Sequence, residues 1–158
     1  MDRTKADFKA LRELIGMSQS LLAEELKCNV KSVKRWENPS YEESIPPQEA
    51  WEILAKYRQL QEWHVDNALD ILSQKEEELE SAPACIDLTY WQSADEYEKA
   101  HPGEGKYFQM ANANSRFVAH ELMMEGYDIS FKFAGLKATL KQEVEKNAAF
   151  NTIKKHKK

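Results

Sequence analysis

Four basic side chains lie close together near the amino terminus of this 158-residue chain. Lys27, Lys31, Lys34 and Arg35 fall within nine residues, and no acidic residue lies among them. Long cationic side chains neutralise phosphates, and lysine and arginine can also donate to the O6 and N7 atoms of guanine. The cluster therefore has the chemistry needed to bind a polyanion such as duplex DNA.

Residues 29–37 predict a short helix that would position this cluster. Asn29 is a favoured N-cap residue, and Val33 and Trp36 are spaced to lie on one buried side. At about 100° per residue, the basic side chains of the helix surround the opposite, exposed direction. These exposed cations are Lys31, Lys34 and Arg35.

A protruding helix of this kind fits the major groove of B-form DNA. We expect Arg35 to contribute most to specificity, because its guanidinium donates two hydrogen bonds in a fixed geometry. Val30 could contact a thymine methyl group, and Ser32 a base edge or a phosphate. The residues of this helix predicted to contact DNA are Asn29, Val30, Lys31, Ser32, Lys34 and Arg35. On charge alone, the alternative that these side chains form an ordinary solvated helix face, with no DNA contact, is equally open.

Two further helices are predicted before this one. Gly16 would end the first, and Ser18 would cap the second. Ser18 and Gln19 also lie where a helix N-terminus and a side-chain amide can hold a phosphate. The predicted buried positions recur every three or four residues: Phe8, Leu11, Leu14 and Ile15 in the first helix, and Leu22, Ala23 and Leu26 in the second. Three helices joined by tight turns predict a small bundle.

Residues 17–37 resemble the helix-turn-helix of Cro/CI-type repressors, also called the xenobiotic-response-element family. The residues in register with the family pattern are Ser18-Gln19, Leu22-Ala23, Leu26, Asn29 and Arg35-Trp36-Glu37. This resemblance implies duplex DNA binding and an ion pair between Arg12 and Glu37. The chain departs from the pattern at Lys27, where the family has glycine, and at Asn38-Pro39. Because glycine adopts a positive φ most easily, Lys27 predicts a strained or differently shaped turn.

The rest of the chain predicts one long helix and a small α/β region. Residues 47–83 keep a helical spacing of apolar side chains after Pro47, with no further glycine or proline before Pro83. Residues 84–91, 106–110 and 127–133 are predicted strands. A helix capped by Ser93 and Glu96 ends near His101, and a second, capped by Asn112 or Asn114, runs to Glu125 before Gly126. The predicted order is β-α-β-α-β, followed by a helix over 136–153 and a frayed basic tail.

This second part resembles, more weakly, the α/β dimerisation domain of bacterial and phage regulators such as anti-CRISPR-associated repressors. The shared pieces are the strand Asp87-Leu88-Thr89-Tyr90-Trp91, the helix with Asp95-Glu96-Tyr97, and the helix over 113–125. The resemblance implies a homodimer that binds an inverted repeat. The strand edges left by a three-stranded sheet are available for a second copy.

The predicted fold is mainly α with a small α/β part. Its domains are a helix-turn-helix domain (1–46), a long connecting helix (47–83), an α/β dimerisation domain (84–135), and a C-terminal helix with a basic tail (136–158). The predicted function is sequence-specific double-stranded DNA binding in transcription regulation, as a repressor. Two alternatives remain open: a protein-interaction module such as an antitoxin or adaptor, which the acidic residues 47–135 favour, and a small-ligand sensor whose effector nothing identifies.

Composition and motifs argue against other classes. The net charge of −5 excludes a strong overall positive field, so DNA would have to be bound by a local patch. Cys28 and Cys85 lack the spacing of a metal site, and His120-Glu121 lacks the second histidine of a zinc-protease helix. We therefore expect no metal, no cofactor and no enzymatic activity. Short apolar runs and the absence of a signal-like N-terminus predict a cytoplasmic protein that does not span a membrane.

Overall fold

The computed structural model describes residues 2–79, 85–134 and 154–155. Within these ranges the chain is mainly helical with a small α/β part, which confirms the predicted fold class. It divides into two compact units, residues 1–61 and residues 62–158, so the boundary falls inside the long helix rather than at one of its ends. No helix among the described residues is both long enough and apolar enough to cross a membrane.

The first unit contains three short helices and the beginning of a long one. They are α1 (Lys5–Ile15), α2 (Gln19–Glu25), α3 (Val30–Glu37) and α4 (Gln48–Leu79), of which residues 48–61 belong to this unit. Gly16 ends α1 with φ 79°, in the left-handed region that glycine tolerates best. The Ser18 and Asn29 side chains accept hydrogen bonds from the backbone N–H groups of Leu21 and Lys31. The predicted caps are therefore confirmed.

Aromatic packing forms the centre of the first unit. The Phe8 ring is fully buried and meets the rings of Trp36 and Trp51 edge-on, at centroid distances of 6.2 and 5.0 Å. The other side chains with at most 1% exposure in this unit are Ile15, Met17, Leu22, Val33, Ala50 and Leu54. Burying one large apolar side chain stabilises a fold by about 1.5–3 kcal/mol, so this cluster contributes substantially to the stability of the unit.

The buried stripe of α1 is narrower than the sequence pattern predicts. Phe8, Arg12 and Ile15 are its buried residues, spaced by four and three positions, and Leu14 is 43% exposed. The apolar periodicity did not include Arg12, because a charged residue is buried only when tertiary contacts pair it. The expected burial of Leu14 is therefore wrong, and Leu11, Leu26 and Trp36 are half-buried rather than buried.

Four residues, Leu26 to Asn29, connect α2 with α3. Lys27 has φ 52° and is the one non-glycine residue with positive φ in the part of the chain that the structure describes. A side chain in the left-handed region places its Cβ too close to the following carbonyl oxygen. The strained turn predicted at this position is therefore confirmed.

We expect the substitution Lys27→Gly to raise the free energy of unfolding by about 0.5–1 kcal/mol, since the relief of strain outweighs the entropy that glycine adds to the unfolded chain. Lys27→Ala removes the same charge but keeps the Cβ, and is expected to change stability by less than about 0.5 kcal/mol. Urea denaturation of the three proteins makes the comparison. Equal stability of the Gly and Ala variants would contradict the account.

The second unit contains the rest of α4, further helices and a small sheet. Its elements are β1 (Cys85–Tyr90), α5 (Ala94–Ala100), a 3₁₀ turn (Gly105–Tyr107), α6 (Phe108–Met124), β2 (Asp128–Phe133) and β3 (Lys154–Lys155). β1 lies in the middle, parallel to β2 and antiparallel to β3. The parallel register pairs Ile86 with Ile129 and Tyr90 with Phe133.

Three predictions for this unit are wrong. Residues 106–110 form the 3₁₀ turn and the beginning of α6 instead of a strand. Asn112 and Asn114 are buried within α6 and do not cap it. The strand that completes the three-stranded sheet is therefore β3, which lies outside 84–135. Its residues Lys154–Lys155 were expected to fray but pair with β1. The predicted helix over 136–153 lies outside the described residues.

The other predictions for this unit agree with the structure. Ser93 caps α5 by accepting from the backbone N–H of Glu96 at 3.2 Å. Gly126, with φ 94°, follows α6, and β2 begins two residues later. Apolar side chains from α4, α6 and one face of the sheet form the core: Val65, Ala68, Leu72, Ile86, Leu88, Val118, Ala119 and Leu122.

Asn112 satisfies the backbone at the end of β1. Its Oδ1 accepts from the Trp91 N–H at 2.7 Å, and its Nδ2 donates to the Trp91 carbonyl at 2.8 Å. The amide thus pairs with Trp91 as a neighbouring strand would. This buried role explains why an asparagine typical of caps lies inside a helix.

We expect Asn112→Ala to lower the free energy of unfolding by about 2–3 kcal/mol, because it leaves both Trp91 backbone groups without their partner. Ser115→Ala removes the hydrogen bond to the Thr89 carbonyl and is expected to cost less, about 1 kcal/mol. Chemical denaturation measures both. A cost for Asn112→Ala no greater than that for Ser115→Ala would contradict the two-sided role.

Candidate nucleic-acid interface

Three cations occupy the exposed side of α3, and we call Lys31, Lys34 and Arg35 the α3 basic surface. All three side chains are exposed, whereas Val33 on the opposite side is fully buried. Within residues 2–79, neither lysine ammonium forms an ion pair with a carboxylate. Since no carboxylate in that range neutralises them, these charges are available to an anionic partner.

The other predicted contact residues of α3 surround this surface. Asn29 is exposed at the beginning of the helix, and Val30 and Ser32 are half-buried along its sides. The Asn29 Oδ1 accepts from the Lys31 N–H at 2.9 Å, so this oxygen fixes the start of the helix. The structure thus places all six predicted residues of this helix on one short element.

Tyr41 is a neighbour of the α3 basic surface that the sequence pattern did not indicate. Its ring centroid lies 5.5 Å from the Arg35 guanidinium carbon, within the range of a cation–π contact. Tyr41 is 48% exposed, in the loop between α3 and α4. The contact limits the orientations of the Arg35 side chain, and its only sequence signal would be an aromatic residue six positions after an arginine, which is too common to be informative.

Ser18 and Gln19 lie at the beginning of α2, as predicted, but both make contacts within the protein. The Ser18 hydroxyl caps the helix by accepting from the Leu21 N–H at 3.0 Å. The Gln19 Nε2 donates to the Glu37 Oε2 at 2.8 Å. Because an amide nitrogen carries two hydrogens, one remains for a phosphate, and the predicted phosphate contact at these two residues stays a prediction.

A buried ion pair joins α1 to the end of α3. The Arg12 Nε and Nη2 atoms donate to the two carboxylate oxygens of Glu37 at 2.5 and 2.9 Å. Arg12 also donates from Nη1 to the Met17 carbonyl at 2.6 Å, and the two charged side chains are only 8% and 4% exposed. The ion pair implied by the family resemblance is present. With Gln19 on the same carboxylate, it fixes α3 against both preceding helices.

Lys5 holds the other side of the same helix end. Its ammonium donates to the carbonyls of Arg35 at 2.9 Å and of Ser44 at 2.5 Å. A cation at a helix C-terminus interacts favourably with the carbonyl groups left without intrahelical partners. This contact spans 30 and 39 residues of sequence, so no local pattern could have indicated it.

Over residues 2–79, 85–134 and 154–155, no group of three or more histidine, cysteine or acidic side chains could hold a metal ion. Cys28 and Cys85 are free and half-buried.

The N-terminal unit thus contains two short helices, α2 and α3, joined by four residues, and α3 carries three exposed cations. Comparison with known proteins found no matching family model and no matching curated protein. The function of this protein must therefore be inferred from its own residues and contacts.

Proposed function

We propose that this protein is a sequence-specific, double-stranded DNA-binding transcriptional regulator that represses as a homodimer on an inverted repeat. The α3 basic surface carries the proposal, since three exposed cations lie opposite the buried Val33 on a helix short enough to enter a major groove. The Arg12–Glu37 pair and the Lys5 contacts support it by fixing that helix on its bundle.

In this mechanism, α3 of each subunit lies in the major groove of one half-site. Lys31 and Lys34 neutralise phosphates and fix the register, while Arg35 donates to O6 and N7 of a guanine. The cation–π contact with Tyr41 limits the conformations of Arg35 before binding, which reduces the entropy lost in the complex. Two half-sites about one helical turn apart match the two-fold symmetry of a dimer, and the bound dimer hinders polymerase.

Local charge matters more than net charge in this proposal. The whole chain carries −5, and residues 47–135 carry seven basic against 17 acidic side chains. DNA would therefore be attracted to the α3 basic surface and repelled by much of the remaining protein. This arrangement favours one docking orientation and disfavours non-specific coating of the duplex.

Selection from a random pool of duplexes with the full chain tests the proposal. We expect an enriched palindromic sequence, because each half-site is read by one copy of α3. The variant Lys31→Ala/Lys34→Ala/Arg35→Ala serves as the control and is expected to enrich nothing. If the native chain enriches no sequence and shifts no duplex, the proposal is wrong, and tight binding to a cationic protein would then favour the interaction-module alternative.

A further inference from the structure

The outer edge of β2 is the strongest candidate for a second interaction surface. β2 is at one end of the sheet order β2-β1-β3, and none of the strands in the described ranges pairs with its outer side. Phe131 and Phe133 on this strand are 42% and 60% exposed. An edge strand with exposed aromatic side chains is a ready template for pairing with another strand.

The backbone hydrogen bonds show which residues face the open edge. The Ala134 N–H donates to the Tyr90 carbonyl at 3.0 Å, so Ala134 directs its backbone groups toward β1. Since successive residues of a strand direct these groups to alternate sides, Ser130 also faces β1, and Ile129 and Phe131 direct theirs outward. A strand added at this edge must pair with these outward residues.

Two antiparallel copies of β2 are complementary to each other when they are paired with Ser130 opposite Ser130. An antiparallel copy centred there places Asp128 opposite Lys132, and Ile129 opposite Phe131. The second pairing joins the residues whose backbone groups face the edge, so four hydrogen bonds can form across the interface. Opposite charges and aromatic–β-branched pairs are both favourable cross-strand neighbours.

Other arrangements of two β2 strands are less favourable. Parallel pairing in register sets Asp128 against Asp128 and Lys132 against Lys132. An antiparallel pair centred at Lys132 sets the two copies of Lys132 against each other. An antiparallel pair centred at Phe131 places Asp128 opposite Ala134 and Lys132 opposite Ser130, so neither charged side chain meets an opposite charge. Shifting one strand by a single residue would place each outward-facing residue opposite a residue whose backbone groups face β1, so the hydrogen bonds across the edge could not form. The charges and the backbone thus agree on a single register, as a specific interface requires.

Lys132 can serve both its own chain and a second copy. Its ammonium lies 2.8 Å from Oδ2 of the buried Asp87, yet the side chain is 43% exposed. An ammonium has three donors, so it can also meet Asp128 of another copy. The buried Asp87 in turn keeps the lysine oriented on the sheet.

We infer that β2 is a dimerisation edge, at which two copies of this chain pair antiparallel about Ser130 and join their sheets. The inference deepens the proposed function and rests on its homodimer, for which it names the interface. It commits to a second copy of this chain because the strand's own charges and hydrogen-bonding pattern complement themselves.

The mass of the full chain, measured by sedimentation equilibrium, gives the first test. We expect a dimer, and we expect Asp128→Lys to raise its dissociation constant by about tenfold, since two attractive charge pairs become repulsive. The control Glu121→Lys makes the same charge change at an exposed position on α6 and should leave the constant unchanged. A monomer at every concentration, or equal constants for the two variants, would overturn the interface.

A cross-link gives the second test and fixes the register. In a background with Cys28→Ser and Cys85→Ser, Ser130→Cys places two thiols on the two-fold axis, where paired Cα atoms lie about 4.5 Å apart and a disulfide can close. Phe133→Cys is the matched control, since its two copies would lie about 20 Å apart along the strands. Oxidation should link the first variant and not the second, and the reverse result would overturn the register.

The two tests separate this inference from DNA binding. A monomer that still binds a selected duplex through α3 would overturn the β2 interface and the homodimer of the proposed function, and would leave its duplex DNA binding standing. A dimer that cross-links through Ser130→Cys but binds no duplex would support the interface and overturn the proposed function.

Discussion

Replacing Lys31, Lys34 and Arg35 together by alanine is expected to lower affinity for the selected duplex by about a thousandfold. Loss of a bidentate guanine contact costs about 1–3 kcal/mol, and a dimer on two half-sites would lose two of them. The lysines add phosphate contacts, and each lost contact should flatten the slope of log affinity against log salt by about 0.9. Fluorescence anisotropy at several salt concentrations measures both effects.

The control for charge is Lys56→Ala/Lys99→Ala/Lys106→Ala, which removes three exposed cations from other elements. We expect it to weaken binding only slightly, through the change in net charge. Circular dichroism should show unchanged helix content in both triple variants, because all six side chains are exposed. Equal losses of affinity in the two triple variants would contradict a specific role for α3.

Arg35→Lys separates charge from geometry at the centre of this surface. The lysine keeps the positive charge but loses the planar pair of donors, so the salt dependence should persist while discrimination at one guanine per half-site relaxes. Competition between the selected duplex and the same duplex with that guanine replaced measures the discrimination. If the Arg35→Lys variant prefers the selected duplex over the altered one as strongly as the native chain does, then Arg35 contacts only phosphate.

The substitution Arg12→Ala is expected to reduce the free energy of unfolding by about 3–5 kcal/mol. It leaves the Glu37 carboxylate, which is 4% exposed, without its charge partner, and an uncompensated buried charge is strongly destabilising. The Met17 carbonyl also loses its donor. Urea denaturation followed by circular dichroism measures the loss, and a loss below about 1 kcal/mol would contradict this role.

The double variant Arg12→Met/Glu37→Leu identifies the source of that loss. Because it removes both charges and keeps apolar volume, we expect it to recover much of the stability lost in Arg12→Ala. Gln19 loses its acceptor on Glu37 in the double variant, so the recovery should remain incomplete. A double variant less stable than Arg12→Ala would indicate that packing in this region depends on the charged pair itself.

Local signals predicted the N-terminal unit well because its helices begin and end where their own residues dictate. Ser18 and Asn29 offer a side-chain oxygen to the first free N–H groups, and Gly16 adopts the left-handed conformation that ends α1. Each of these signals acts over at most three residues. The positive φ of Lys27 was expected only from the family resemblance, in which glycine stands at this position.

The second unit was harder to predict because its decisive contacts are remote in sequence. Asn112 has the residue type of a cap, but its partner Trp91 is 21 residues away and draws it inside α6. The period-two pattern in residues 84–91 predicted a strand with one buried face, yet Asp87 on the other face is 1% exposed and paired with Lys132. A short stretch of sequence cannot show what will cover a side chain.

The sequence by itself determined where the first three helices lie and which side of α3 is cationic, since these properties depend on capping residues and on the spacing of side chains along a helix. Only the tertiary structure decided that Lys5 would bind the end of α3, that Tyr41 would meet Arg35, and that β2 would occupy an edge of the sheet. The physical reason is distance along the chain. Caps and helical faces are set by neighbouring residues, whereas the partner of a buried charge or of an unpaired strand is chosen by packing among residues far apart in sequence.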